Sequence, residues 1–280
     1  MLQIFEDSVL PSLFSSLAVA VARFKSEYII AFAGFLTTCG LDSICTPSDD
    51  TDGFGNIETL GQHGRISNTP ADNFYSVANE ESGEPVIETY AHMTQGRLFG
   101  DRLSLTRRIK VFTDRNVFEI SDTVKNFGYV TSPHMILYHI NFGYPFLTEE
   151  AKIILPAEKT VPRNAYAAKD ADKWDQFTSP QSGIEEQCYY HTLKKDADGW
   201  TGYSLNNPAL GFGINVRYDA NPLDYFIEWK NPGEGDYVLG LEPGNCNGEG
   251  RKKAREDGIL KYLQPGEEVK YRFVIEITDL

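Results

Sequence analysis

The strongest constraint on this chain is a succession of short segments with the two-residue period of a β-strand, separated by gaps too short for helical crossovers. The clearest cover residues 103–113, 117–127, 134–142, 211–218, 225–230, 237–241 and 269–277, all rich in Val, Ile, Phe, Tyr and Thr. A parallel pair needs a connection of about a dozen residues or more, so most neighbours here must run antiparallel. The link from Thr113 to Val117, with Asp114 and Asn116 at its tip, is a turn and nothing longer. Near the C-terminus Tyr271, Phe273, Ile275 and Ile277 fall on one face and Lys270, Arg272 and Glu276 on the other, the pattern of a half-buried strand. Helix is scarce: residues 249–257 are rich in helix formers and end at Gly258, a good C-terminal stop, and residues 8–24 carry a weaker helical pattern. The remaining polar stretches, 47–62, 79–85, 156–183, 231–236 and 243–258, read as loops. Two packed antiparallel sheets are the expected outcome. At 280 residues with no Gly/Ser- or Pro-rich linker, the chain reads as one domain, 1–280.

Charge and cysteine usage narrow the function. The net charge of −14 argues against a nucleic-acid partner, whose phosphates are met by Lys and Arg. Cys39, Cys45, Cys188 and Cys246 are scattered without a CxxC pair, which speaks against a zinc or redox motif and for a reducing, cytoplasmic setting. Cys246, in Gly-Asn-Cys-Asn-Gly, is a candidate exposed thiol near a site or an incidental residue. The apolar run at 17–22 is far short of the ~20 residues that span a bilayer, and the acidic start lacks a signal peptide's positive charge. Neither signal, anchor nor membrane partner is expected. P-loop, GxGxxG, HExxH and GxSxG motifs are absent, so no cofactor is expected.

Three places carry polar residues of a kind that does chemistry. In Gly61-Gln-His63-Gly64-Arg65 an imidazole and a guanidinium sit among glycines, which let backbone approach a ligand; a surface turn is the plainer reading. In residues 133–145, His139 and Asn141 share one face of a strand flanked by aromatics. Most strand histidines are satisfied core residues, and this pair is richer than that. In residues 237–245 an apolar strand ends in Glu242, held by Pro243 and Gly244; that is where a general base with a raised pKa sits, or else a solvated strand end. Together these residues supply proton-transfer groups and hydrogen-bond donors.

At these positions the sequence resembles the aldose 1-epimerase (galactose mutarotase-like) superfamily, and within it the DUF4432 branch. The stretches that carry the likeness are Gly34-Phe-Leu-Thr-Thr-Cys-Gly-Leu41, His63-Gly-Arg-Ile-Ser67, Ser121-Asp-Thr-Val-Lys-Asn126, Leu137-Tyr-His-Ile-Asn-Phe-Gly-Tyr-Pro145 and Gly240-Leu-Glu-Pro243. The resemblance implies an all-β galactose mutarotase-like β-supersandwich that binds a small-molecule sugar on a concave sheet. It runs from about residue 32 onward, leaving 1–31 as an atypical segment and some N-terminal strands missing. It also implies roles: His139 protonates the ring oxygen, Glu242 removes the anomeric hydroxyl proton, and His63 binds the sugar, with the two histidines exchangeable. Glu186 is the candidate for binding sugar hydroxyls and Arg65 for an anionic sugar group; Trp229 is open between sugar stacking and core packing. The implied activity is a cofactor-independent isomerase that interconverts anomers; the alternative is a non-catalytic carbohydrate-binding or sensing protein on the same fold.

Overall fold

A computed structural model describes residues 34–280. The helical pattern at 8–24 and the atypical segment 1–31 therefore lie outside the described residues. Strands are numbered along the chain. One sheet runs, in spatial order, β1 (Leu36–Leu41), β8 (Ser132–Gly143), β15 (Val238–Gly244), β14 (Tyr225–Asn231), β11 (Gln187–Leu193) and β10 (Ala157–Pro162), with β16 (Lys261–Leu263) paired to the start of β8. The other runs β4 (Asn73–Glu81), β5 (Glu84–Gly96), β6 (Arg102–Phe112), β7 (Val117–Asn126), β17 (Glu268–Asp279), β13 (Phe212–Asp219), β12 (Trp200–Asn207) and β9 (Lys152–Ile154). A separate hairpin joins β2 (Ser48–Thr51) and β3 (Ile57–Leu60). Every pairing between these strands is antiparallel, as the short gaps require. All seven expected strands are present within a few residues of their expected ends.

The two sheets close on a shared core. Ile136, Tyr138, Ile140 and Phe142 of β8 and Leu239 and Leu241 of β15 meet Leu103, Leu105, Ile214, Val216, Tyr271, Phe273 and Ile275 from the opposite sheet. Burying each such side chain is worth about 1.5–3 kcal/mol. Strand alternation then turns the intervening residues, His139 and Glu242, to the opposite face of the seven-stranded sheet. That outer face is not open either. A smaller apolar cluster of Cys39, Ile44, Met135, Leu137, Ile227, Cys246, Ala254 and Leu260 covers part of it. Ala254 comes from the short helix α1 (Arg251–Glu256). With both faces covered, all of β8 is buried.

Several expectations need correction. The 47–62 stretch is largely the β2–β3 hairpin. Ser-Asp-Asp-Thr has no apolar alternation to reveal it; Asp50 and Glu58 are buried instead against Arg251, at 2.8 and 2.7 Å. The 156–183 stretch contains β10 and a 3₁₀ turn at Ala167–Lys173. The turn expected across 79–85 is confined to Ser82 and Gly83, because β4 and β5 run almost to each other. Cys246 is not an exposed thiol; it is packed in the smaller cluster at 1% exposure. Among the described residues no helix is long and apolar enough to cross a membrane.

Candidate active site

Strand register lays the site out in two rows across the outer face. One row is His139 on β8, Glu242 on β15, then Ile227 on β14 and Tyr190 on β11; Glu242 pairs with Ile227, and Ile227 with Tyr190. The other is Asn141, Gly240, Trp229 and Cys188, all in direct register. A cavity of about 360 Å³ lies over these rows, in the size range of small-ligand pockets. His63, His139, Glu186, Trp229 and Glu242 all line it.

His139 and Glu242 form the floor. Their side chains are 4% and 3% exposed, and His139 Nε2 lies 2.9 Å from Glu242 Oε1. Gly240 makes this contact possible: a Cβ there would stand 2.7 Å from Glu242 Oε1 and 2.8 Å from His139 Cε1. Trp229 and His63 stand edge-on to the His139 ring, each with centroids 5.6 Å away. The Trp229 indole N–H donates to Glu186 Oε2 at 2.8 Å, so two residues singled out separately act as one unit at the pocket wall.

His63 reaches this place on a tightly clamped turn. It has φ of 59°, followed by Gly64 at 72°. A side chain on Gly64 would collide with the Gly40 and Ser43 carbonyls at 2.3 and 2.4 Å, so glycine is required. The His63 amide donates to the Cys45 carbonyl at 3.2 Å, and the Gly40 amide donates to the His63 carbonyl at 3.0 Å. Burial, and secondarily the neighbouring His139, push the His63 imidazole down to about 3, so it is neutral near pH 7. Burial and the Glu242 charge raise the Cys45 and Cys188 thiols, Cys188 to about 12, keeping both protonated. Among the described residues no cluster of His, Cys, Asp and Glu is arranged to hold a metal ion.

Two expected site residues do not line the cavity. Arg65 is turned away, its guanidinium on Asp42 at 3.3 Å and Glu58 at 3.1 Å, where it joins the Arg251 cluster behind the His63 turn. Asn141 does share the face of His139, but its amide donates to the Gly34 carbonyl at 3.0 Å. Conversely, Arg163 and Tyr190 line the cavity without having been anticipated. The alternation Cys188–Tyr190 in β11 was a usable signal for Tyr190. Arg163 had none, since it follows a short strand in a stretch without periodicity. A second cavity, of about 260 Å³, lies at the far end of β14 beside Lys230. The Lys230 ammonium there is consumed by the carbonyls of Lys173, Trp174 and Gln176 at 3.2, 2.7 and 3.2 Å.

Comparison with known proteins agrees with this architecture. A candidate aldose 1-epimerase from Klebsiella pneumoniae superposes with a TM-score of 0.83 at 23% identity, covering 91% of this chain and 66% of that one. This chain thus spans just under two thirds of that structure. A galactose mutarotase-like protein from Clostridium acetobutylicum gives 0.59 at 14% identity, with 89% and 80% covered. An aldose epimerase homologue from C. elegans gives 0.53 at 9% identity, with 98% and 86% covered. At such identities the likeness establishes the fold, a galactose mutarotase-like β-sandwich. No curated protein sequence matches the chain. The model of the family described as a domain of unknown function, DUF4432, matches residues 11–277, and the chain belongs to that family.

Proposed function

We propose that the chain is an aldose 1-epimerase-like isomerase acting on a small sugar. The observation that carries the reading is the buried His139–Glu242 contact at the floor of a cavity walled by Trp229 and Glu186. A module that only binds sugar has no need of a carboxylate and an imidazole packed against each other out of water. Proton transfer does, because positioned acid–base groups contribute roughly 10²–10⁴-fold each.

In the proposed reaction Glu242 takes the proton from the anomeric hydroxyl while His139 gives one to the ring oxygen. The C1–O5 bond breaks, leaving the open-chain aldehyde. Rotation about C1–C2 presents the other carbonyl face, and the reverse transfers close the ring. The pair ends as it began, so nothing besides sugar is consumed. Burial holds the His63 imidazole down to about 3, which disfavours its imidazolium near pH 7; this favours His139 as the acid and His63 as a hydrogen-bonding neighbour. Glu186, fixed by Trp229, is suited to accept from ring hydroxyls. The four free cysteines support a reducing, cytoplasmic setting.

The test is polarimetric α-to-β interconversion over a panel of aldoses, corrected for the spontaneous rate, beside calorimetric binding. Glu242→Gln is expected to keep binding and lose about 10²–10⁴-fold in rate. An unchanged rate removes the base role. A parent protein that binds sugar yet shows no rate above background is a binding module.

A further inference from the structure

Arg163 is the one arginine or lysine among the described residues lining the cavity, and it is not free to act as an anion receptor. Its amide donates to the Cys188 carbonyl at 2.9 Å, which fixes its root beside the Trp229 row. Its Nε donates to Glu249 Oε1 at 3.0 Å and its Nη2 to Thr46 Oγ1 at 3.1 Å. The Tyr190 hydroxyl donates to that same Glu249 oxygen. Thr46 is anchored in turn, its hydroxyl donating to the Gly248 carbonyl at 2.9 Å. The guanidinium is thereby held in one plane with a carboxylate at its back. Although burial opposes it, the bonds from Tyr190 and Arg163 hold the Glu249 carboxyl below its usual range, so it is ionised near pH 7.

The position of this group in the sheet matters as much as its charge. The strand order β15–β14–β11–β10 puts Arg163, just past the end of β10, three strands from Glu242. At about 4.8 Å per strand and a two-residue offset along the strands of about 6.6 Å, the two backbones stand roughly 16 Å apart, and both side chains line the cavity between. That interval accommodates one sugar ring with its substituents, its anomeric carbon at Glu242 and the opposite end at Arg163. The other charged lining groups are Glu186 and Glu242, both carboxylates, and His139 lies against Glu242. An anionic substituent arriving at the Arg163 end would find a guanidinium already neutralised and carboxylates nearby.

We propose that Arg163, Glu249 and Tyr190 form the specificity element of the pocket, admitting an uncharged, hydroxyl-bearing sugar terminus and rejecting a carboxylate or phosphate there. The proposal rests on the sugar-binding reading of the cavity. Arg163 uses its uncommitted N–H groups to donate to hydroxyl oxygens, and Glu249 sets the sign of the selection by cancelling the charge that would otherwise capture anions.

The experiment measures calorimetric affinities of the whole chain for D-glucose, D-galactose, D-galacturonate and D-glucose 6-phosphate, in the parent, Glu249→Gln and Arg163→Met, with thermal melts as a folding control. The parent is expected to prefer the neutral sugars by about tenfold or more. In Glu249→Gln the ratio of anionic to neutral affinity is expected to rise about tenfold or more, and anion binding becomes weaker as salt is added. Arg163→Met is expected to lose about tenfold in neutral-sugar affinity with no gain for the anions. A parent that prefers the anionic sugars overturns the proposal. So does a Glu249→Gln protein whose ratio is unchanged while it still binds neutral sugar; the sugar reading itself then stands. A parent that binds none of the four sugars removes that reading, and the proposal with it.

Discussion

Gly240→Ala tests how the proposed catalytic pair is held, because one methyl group is all that the substitution adds. The new Cβ would arrive 2.7 Å from Glu242 Oε1, 2.8 Å from His139 Cε1 and 3.3 Å from His139 Nδ1. Carbon normally rests about 3.5–4.0 Å from its neighbours, so the carboxylate and the imidazole must retreat by roughly 0.7–1 Å. They have little room for it: both are nearly buried, and Trp229 and His63 stand edge-on to the imidazole at 5.6 Å. Gly240 has no positive φ, so the cost comes from crowding and not from the backbone. Overpacking of this kind destabilises by about 1–3 kcal/mol. A shift near 1 Å in reacting groups costs about 10²-fold in rate. The expected outcome is thus a folded protein with a modestly lower melting temperature and about 10²-fold slower mutarotation by polarimetry. Gly248→Ala is the comparison: its Cβ would meet Tyr190 Oη at 3.2 Å and Ile227 Cδ1 at 3.3 Å, so its effect should be milder. A Gly240→Ala protein with the parent's rate, and a crystal structure retaining the 2.9 Å contact, would refute the reasoning.

Three further outcomes are expected. Burial holds His134 down to about 4, against the bond to the Leu41 carbonyl that raises it; burial and His139 hold His63 down to about 3. Both folded values lie below the unfolded ~6.5, so the unfolded chain binds more protons and stability present above pH ~6.5 is lost as pH falls. Between pH 7 and 5 this removes about 2 kcal/mol through His134 and less through the part-open His63, read as a lower urea midpoint; an unshifted midpoint would count against neutral histidines. Arg251→Met strips a fully buried guanidinium from Asp50 and Glu58 and should destabilise by about 3–5 kcal/mol in chemical denaturation; a loss under about 1 kcal/mol is the contrary result. Sugar binding should change tryptophan emission in the parent and not in Trp229→Phe, where Trp174 and Trp200 remain as references; a persistent change would place the sugar elsewhere.

The core strands were legible because each exposes one face to a different environment from the other, and a two-residue period records that contrast. Tyr271, Phe273 and Ile275 are buried as the pattern required. The β2–β3 hairpin was not legible, since two of its inward residues, Asp50 and Glu58, are carboxylates, and their partners Arg251 and Arg255 lie some two hundred positions away. The same blindness explains Arg65 and Arg163. A guanidinium looks alike in sequence whether it meets Asp42 and Glu58 behind a turn or faces a cavity, and only the fold decides which. Asn141 shows a subtler limit: its face was read correctly, yet the Gly34 carbonyl, 107 residues earlier, takes up the amide. His63, His139 and Glu242 were read from matched motifs, Glu186 and Trp229 from residue type and place in the chain, and the cavity brings all five together.

The buried Arg251 also ties distant parts of the chain together. Its bonds to Asp42, Asp50 and Glu58 each close a loop of about two hundred residues, and the turn bearing His63 is pinned beside them. Asp42 and Glu58 also meet Arg65 from close by in sequence, whereas the partners of Asp50 are the distant Arg251 and Arg255. The segment that carries His63 closes locally on Gly40 and Cys45, and α1 then covers the carboxylates behind it. Sheet pairings between distant parts of the chain are slow to form in any case. The turn under the pocket is thus braced by a helix some two hundred positions away, and a sugar held against His63 would favour the form in which that helix is docked.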